Sequence, residues 1–209
     1  GDIMANTFSP FGFRSFGHRD GSAPTMGLER VFILSSDTNP VFTGDVVARS
    51  SATPGYVTQY FGSSLAPVPA GVFAGCEYYN PSVNRVTWNS YFPASVSSSS
   101  PVTAYIISDP EMTFLVQASS VVGSSDIGTN YNILSGASSL GNTLNGISNV
   151  SLATGSTVTG VSSYPFRLVD VYSNFAPPGA NGTDNSSAFS IVVVAPNGWD
   201  RKVLTGITS

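Results

Sequence analysis

The chain has 209 residues, of which 41% are hydrophobic and only 10% charged, and its formal net charge is −4. An average globular chain carries about 25% charged residues, so this composition excludes a charge-rich disordered protein or a long ion-paired helix, and the acidic balance leaves no basic footprint for nucleic acid. The 21 glycines and 14 prolines exclude a helical bundle, while a single cysteine, Cys76, excludes an intrachain disulfide framework and a cysteine-based zinc site.

Gly1-Asp2-Ile3 precede Met4 and read as a vector remnant. No basic n-region followed by an apolar stretch appears over 5–16, so an exported chain is not expected. Residues 4–30 read as an extended N-terminal arm. Phe8, Phe11, Phe13 and Phe16 are interleaved with Pro10, Gly12, Gly17 and Gly21 and with Arg14 and Arg19. Their spacing fits neither the helical period nor strict alternation, yet rings burying roughly 150–250 Å² each do not remain in water. They must dock on the chain's own body or on another chain. The expectation adopted is a neighbouring subunit, with Arg14 and Arg19 making charge-assisted hydrogen bonds at the rim. Deleting 4–20 would then leave the body folded.

The body, 31–209, reads as strands and turns. Apolar or alternating runs fall at 31–34, 41–42, 46–48, 56–61, 72–79, 86–88, 91–92, 102–107 and 113–118. They are punctuated by Pro, Gly, Asn and Asp at roughly 8–12-residue intervals, the pattern of an all-β barrel or sandwich. At most one helical turn is expected, near Pro110–Met112. From 119 to 163 the composition shifts to Ser, Gly, Asn and Thr, with short alternating pieces at 131–134, 150–153 and 156–161, and this stretch reads as a Ser/Gly-rich β-excursion. Strands follow at 166–172 and 189–195, then a tail from Trp199. The expected core is Val46, Val72, Phe73, Tyr105, Ile107, Phe114, Val116, Leu168 and Val193. The longest apolar runs are far too short to cross a bilayer, so no membrane association is expected.

Chemistry-bearing residues are few. His18 is the only histidine, so any Ser-His-Asp or Cys-His machinery would have to pass through a glycine-interrupted arm, and a histidine metal site has no partners. Cys76 sits in an apolar strand, the setting of a structural cysteine. Asp109 and Glu111 flank Pro110 as a turn would. We therefore expect no enzyme, no catalytic or metal-binding residue and no cofactor. Trp88, Tyr91, Trp199, Tyr78 and Tyr79 could instead stack on sugars, the mark of a tail-associated or carbohydrate-binding β-module.

The order of short motifs resembles a family of tailed-bacteriophage virion structural proteins of the capsid decoration, or cement, type. The resemblance rests on Pro10-Phe11-Gly12-Phe13-Arg14 with Asp20-Gly21-Ser22, on Phe42-Thr43-Gly44-Asp45-Val46-Val47, and on Gly71-Val72-Phe73-Ala74-Gly75-Cys76. Ser108-Asp109-Pro110-Glu111-Met112-Thr113-Phe114, Phe166-Arg167-Leu168-Val169 and Val192-Val193-Val194 complete it. The chain departs from that pattern in continuing as Asn197-Gly198-Trp199. The resemblance implies a non-catalytic homo-oligomer, dimer or trimer, assembled in the host cytoplasm onto a shell of major capsid protein. It also implies a place on the capsid surface of the virion, with recognition through protein–protein contacts.

Overall fold

The computed structural model describes residues 6–24, 27–62, 68–97, 100–134, 141–155, 164–172 and 187–203. The expected vector remnant at 1–3 and the expected strand at 156–161 lie outside them. The strands are β1 (Arg14–His18), β2 (Glu29–Ile33), β3 (Val41–Phe42), β4 (Val46–Arg49), β5 (Val57–Gln59), β6 (Pro69–Asn80), β7 (Arg85–Asn89) and β8 (Tyr91–Phe92). They continue as β9 (Val102–Ile107), β10 (Met112–Gln117), β11 (Asn130–Leu134), β12 (Gly141–Asn142), β13 (Ile147–Ser148), β14 (Ser151–Ala153), β15 (Phe166–Val171) and β16 (Ile191–Pro196). Helical geometry among the described residues is confined to a 3₁₀ turn at Ser124–Asp126 and one turn, α1, at Asp200–Val203. The protein is an all-β sandwich.

Two six-stranded sheets build it. The central sheet has the order β2-β9-β6-β4-β5, with β7 paired to the far half of β6, and the covering sheet has the order β1-β10-β16-β15-β11-β14. All the pairings between these strands are antiparallel. Successive strand residues point to opposite faces, and in the central sheet both faces are buried. Val46, Ala48, Val72 and Ile107 join the core under the covering sheet. Val47, Phe73, Cys76 and Ile106 join a second core that includes Val41 and Phe92 from the β3–β8 ribbon. Burial on both sides explains why these strands read as unbroken apolar runs rather than as alternation.

Several expectations are corrected. The described part of 119–163 is only partly an excursion: β12 and β13 form a separate two-stranded ribbon, but β11 and β14 complete the covering sheet. Its polar composition misleads because a few scattered residues, Val122, Tyr131, Ile133, Val150, Leu152 and Ala153, supply its buried apolar face. Trp199 is not in a tail. It is fully buried, with its ring centroid 5.7 Å from Phe114 and 6.0 Å from Phe166. Tyr105 leaves the expected core for the surface side of β9, where it lies 5.4 Å from Trp88. Residues 109–112 form a turn closed by the Met112 amide on the Asp109 carbonyl at 3.3 Å.

The arm is the largest correction. Its residues 14–18 are β1, the outer strand of the covering sheet, paired with β10 from Arg14↔Leu115 to His18↔Met112. Phe13 is only 2% exposed, stacked on Phe166 at 4.3 Å and edge-on to Phe114 at 6.3 Å. One of the four rings is therefore part of the chain's own core. Phe13→Ala should lower stability by about 3–5 kcal/mol, as should Phe114→Ala, measured by equilibrium urea unfolding. Removing 4–20 should destabilise the body further still, because an edge strand goes with the ring. A Phe13→Ala loss below about 1 kcal/mol, far under the usual cost of such a truncation, would mean that the ring is not a core element.

Candidate functional site

The N-terminal segment is strapped to the body before β1 begins. The buried Gln117 amide accepts from the Ser9 amide and donates to the Thr7 carbonyl, both at 2.9 Å. Gly12 then passes so close to the body that a Cβ there would lie 2.6 Å from Cβ of Ser148, and its φ is +71°. Only glycine fits both demands. The Phe13 amide next donates to the Gly44 carbonyl at 2.9 Å.

This path distributes the arm residues unequally. Phe13 is interior, Phe11 is half-buried, and Phe8 and Phe16 remain 45% and 50% exposed. Phe8 packs on Phe189 at 5.0 Å and Phe16 edge-on to Tyr172 at 5.8 Å. The Arg14 guanidinium lies 4.9 Å from the centre of the Phe11 ring. Arg19 has a partner within the chain: its guanidinium grips Glu111 in a fork, at 3.0 and 2.9 Å. Phe11, Arg14 and Leu28 line a largely apolar groove of about 660 Å³, whose floor is Val72, Phe73, Ala74 and Ile107 of the central sheet.

His18 sits between a hydroxyl and a carboxylate. Ser22 Oγ is 3.0 Å from Nδ1 and Asp109 Oδ2 is 2.8 Å from Nε2. These are the residue types of a nucleophilic triad, a juxtaposition that only the fold could reveal. The surroundings are those of a clasp. Ser22's own amide is bonded to Asp20 Oδ1 at 2.9 Å and the Gly21 amide to the His18 carbonyl at 3.1 Å. Neither amide is therefore aimed at a place where an oxyanion could form. Together with the Arg19–Glu111 fork, the set pins the end of β1 to the turn between β9 and β10. Cys76 is fully buried, its thiol donates to the Tyr91 carbonyl at 3.6 Å, and burial, with Glu77 adding to it, pushes its pKa up to about 12. A thiol so shifted is not a nucleophile at neutral pH.

Among the described residues Asp45 is the one fully buried carboxylate, in the turn between β3 and β4. Its Oδ2 accepts from the Phe42 amide at 2.7 Å and from Gln59 Nε2 at 3.2 Å, and Oδ1 accepts from Ser148 Oγ at 2.5 Å. It thereby ties β3, β5 and β13 together. Burial outweighs these bonds and raises its pKa from 3.8 to about 7.

Of the aromatic residues considered for sugar stacking, the structure buries Trp199, half-buries Tyr78 and stacks half-buried Tyr91 on Phe42 at 5.2 Å. Trp88 and Tyr79 remain exposed, at 52% and 41%. Among the described residues no cluster of three His, Cys, Asp or Glu is placed to hold a metal ion, and no helix is long and apolar enough to cross a membrane. Compared with protein-family models, curated proteins and solved structures, the chain gave no match.

The Asp45 site sets a pH dependence. The native state holds the proton more tightly than the unfolded chain, so the contribution is full below pH 3.8 and is lost as pH rises to about 7. The loss across that window should be on the order of 4 kcal/mol. Asp45→Asn keeps an acceptor for the Phe42 amide and removes the titration. Urea unfolding across pH 4–7 should therefore show a falling stability in the parent protein and, for this site's share, a flat one in the variant.

Proposed function

We propose that the chain is a non-catalytic structural protein of a tailed-bacteriophage virion, one that decorates or cements the capsid shell through protein–protein contacts. The motif order supports this reading, and one structural observation carries it. The outer strand of the covering sheet, β1, runs beside an apolar groove lined by Phe11 and Arg14, and the same strand carries Phe16, half exposed against Tyr172. Such an edge accepts an added strand: backbone bonds hold it and alternate side chains fill a neighbouring pocket. The major capsid protein would supply that segment, or a second copy in a homo-oligomer would. Weak contacts of this kind multiply on a symmetric shell through avidity. The role asks for a stiff body and apolar contact rather than reactive groups.

Purified protein mixed with shells of the cognate major capsid protein should co-sediment with them. The double substitution Phe11→Asp with Phe16→Asp should weaken that association about tenfold or more, since two apolar anchors are lost, while leaving the melting temperature near that of the parent. Absence of the parent protein from the shell fraction, or equal binding by the variant, would overturn the reading.

A further inference from the structure

The central sheet is longer than the sheet that covers it. Val72 and Ile107 lie under the covering sheet, but farther along the same face emerge Gly75, Glu77 and Tyr79 of β6, Thr103 and Tyr105 of β9, and Trp88 of β7. The register aligns them in rows: Trp88 opposite Glu77, Glu77 opposite Thr103, Gly75 opposite Tyr105. β2 extends the rows with Arg30 opposite Tyr105 and Phe32 opposite Thr103.

Trp88 is seated rather than merely exposed. A Cβ on Gly75 would stand 2.4 Å from Cζ2, 2.8 Å from Cη2 and 3.2 Å from Cε2 of the indole. The ring thus lies over the glycine backbone, and the residue is still 52% exposed. Gly75 holds φ at +142° next to a register shift in β6, and a strand glycine of this kind marks a place where something must approach the backbone closely. Here it is the indole. Tyr105 leans against it at 5.4 Å and 42°, and the Arg30 guanidinium covers the Phe32 ring at 5.3 Å. Strands stand about 4.8 Å apart, so the stretch from Trp88 to Phe32 is roughly 14 Å long.

We propose that this face is a binding platform for a neutral oligosaccharide, whose pyranose rings stack on Trp88 and Tyr105. Glu77 accepts, and Arg30 and Thr103 donate, hydrogen bonds to the sugar hydroxyls. The alternation decides the occupant. Every row sets an aromatic ring beside a group that can bond a hydroxyl, and neither Glu77 nor Arg30 is in an ion pair among the described residues. A protein partner would require those charges in the centre of its contact, where interfaces are depleted of them. A sugar presents an apolar ring face and a polar rim together. One acid and one base cancel, which favours an uncharged ligand. The platform is independent of the shell-binding reading, and either can fail alone.

The test uses the intrinsic fluorescence of the full chain. Trp199 is fully buried, so a ligand-induced change reports Trp88. Cellohexaose, maltohexaose and chitohexaose are titrated in turn, and at least one should give a saturable change with a Kd of about 1 mM or below. Isothermal titration calorimetry should show Trp88→Ala weakening that binding about tenfold or more and Tyr105→Ala weakening it less, both with an unchanged melting temperature. Trp88→Phe should restore part of the affinity, as a lost stacking ring predicts and a general disturbance does not. No saturable binding by any of the three would overturn the proposal, and so would equal binding by Trp88→Ala. A parent dimer that Trp88→Ala dissociates would assign the face to a second copy and overturn it as well.

Discussion

Burial of the central sheet on both of its faces is the constraint from which the rest of this structure follows. Adjacent residues are committed to opposite cores: Val46 and Val47, Val72 and Phe73, Ile107 and Ile106. Each such side chain withdrawn from water stabilises by about 1.5–3 kcal/mol, and none can move to the other face without a one-residue slip that inverts the whole strand. Register is therefore fixed most firmly here. A sheet buried on both sides also needs two covers, and the chain makes one from the six-stranded covering sheet and the other from the β3–β8 ribbon. Asp45 sits where the ribbon meets the central sheet, and its carboxyl group satisfies a backbone amide of β3 and side-chain donors of β5 and β13.

The covering sheet does not extend over the whole central sheet, and both surface features of interest arise at that mismatch. Beside β1 the margin of the cover opens into the apolar groove lined by Phe11, Arg14, Leu28 and Ala74. Farther along, the same face carries Trp88, Tyr105 and Glu77. The N-terminal segment narrows the gap but does not close it, because β1 is short and its register shifts between Ser15 and Gly17. Phe13 turns inward to fill the core, while Phe16 is left half in solvent.

Strand positions were legible in the sequence wherever burial is two-sided or strictly alternating, as in β6, β9, β10 and β16. The segments that misled each had a physical reason. β1 buries few of its own side chains, and its glycine and its bulge erase the period. Trp199 follows an Asn-Gly turn and looks like the start of a tail, yet one large ring is enough to recruit it between Phe114 and Phe166. Tyr105 shares its face of β9 with buried Ile107 on one side and half-buried Thr103 on the other, and no local pattern reveals that the cover ends before reaching it. The partners of His18 were not legible either. Asp109 is 91 residues away, and only the pairing of β1 with β10 brings the two together.

The scarcity of charge acquires a meaning from where the charges lie. His18 and Arg19 meet Asp109 and Glu111, holding the end of β1 to the β9–β10 turn. At the other end Arg49 contacts Glu29 and Asp200, and Arg201 contacts Glu29, so a small network ties α1 to β2 and β4. The exposed Arg19–Glu111 pair contributes little stability, typically under about 1 kcal/mol, while the pairs of His18 and Arg49 are half-buried. Their effect is positional, fixing the end of β1 and the α1 turn against the sheets. With much of a small charge complement engaged in this way, long-range steering of a partner is weak. Apart from charges outside that network such as Arg14, Arg30 and Glu77, the surface that remains offers ring faces, hydroxyls and amides, whose interactions act at contact distance and are screened little by salt. Recognition on such a surface depends on the shape of the sheet face, and that shape is set by the same two-sided burial that fixes the register.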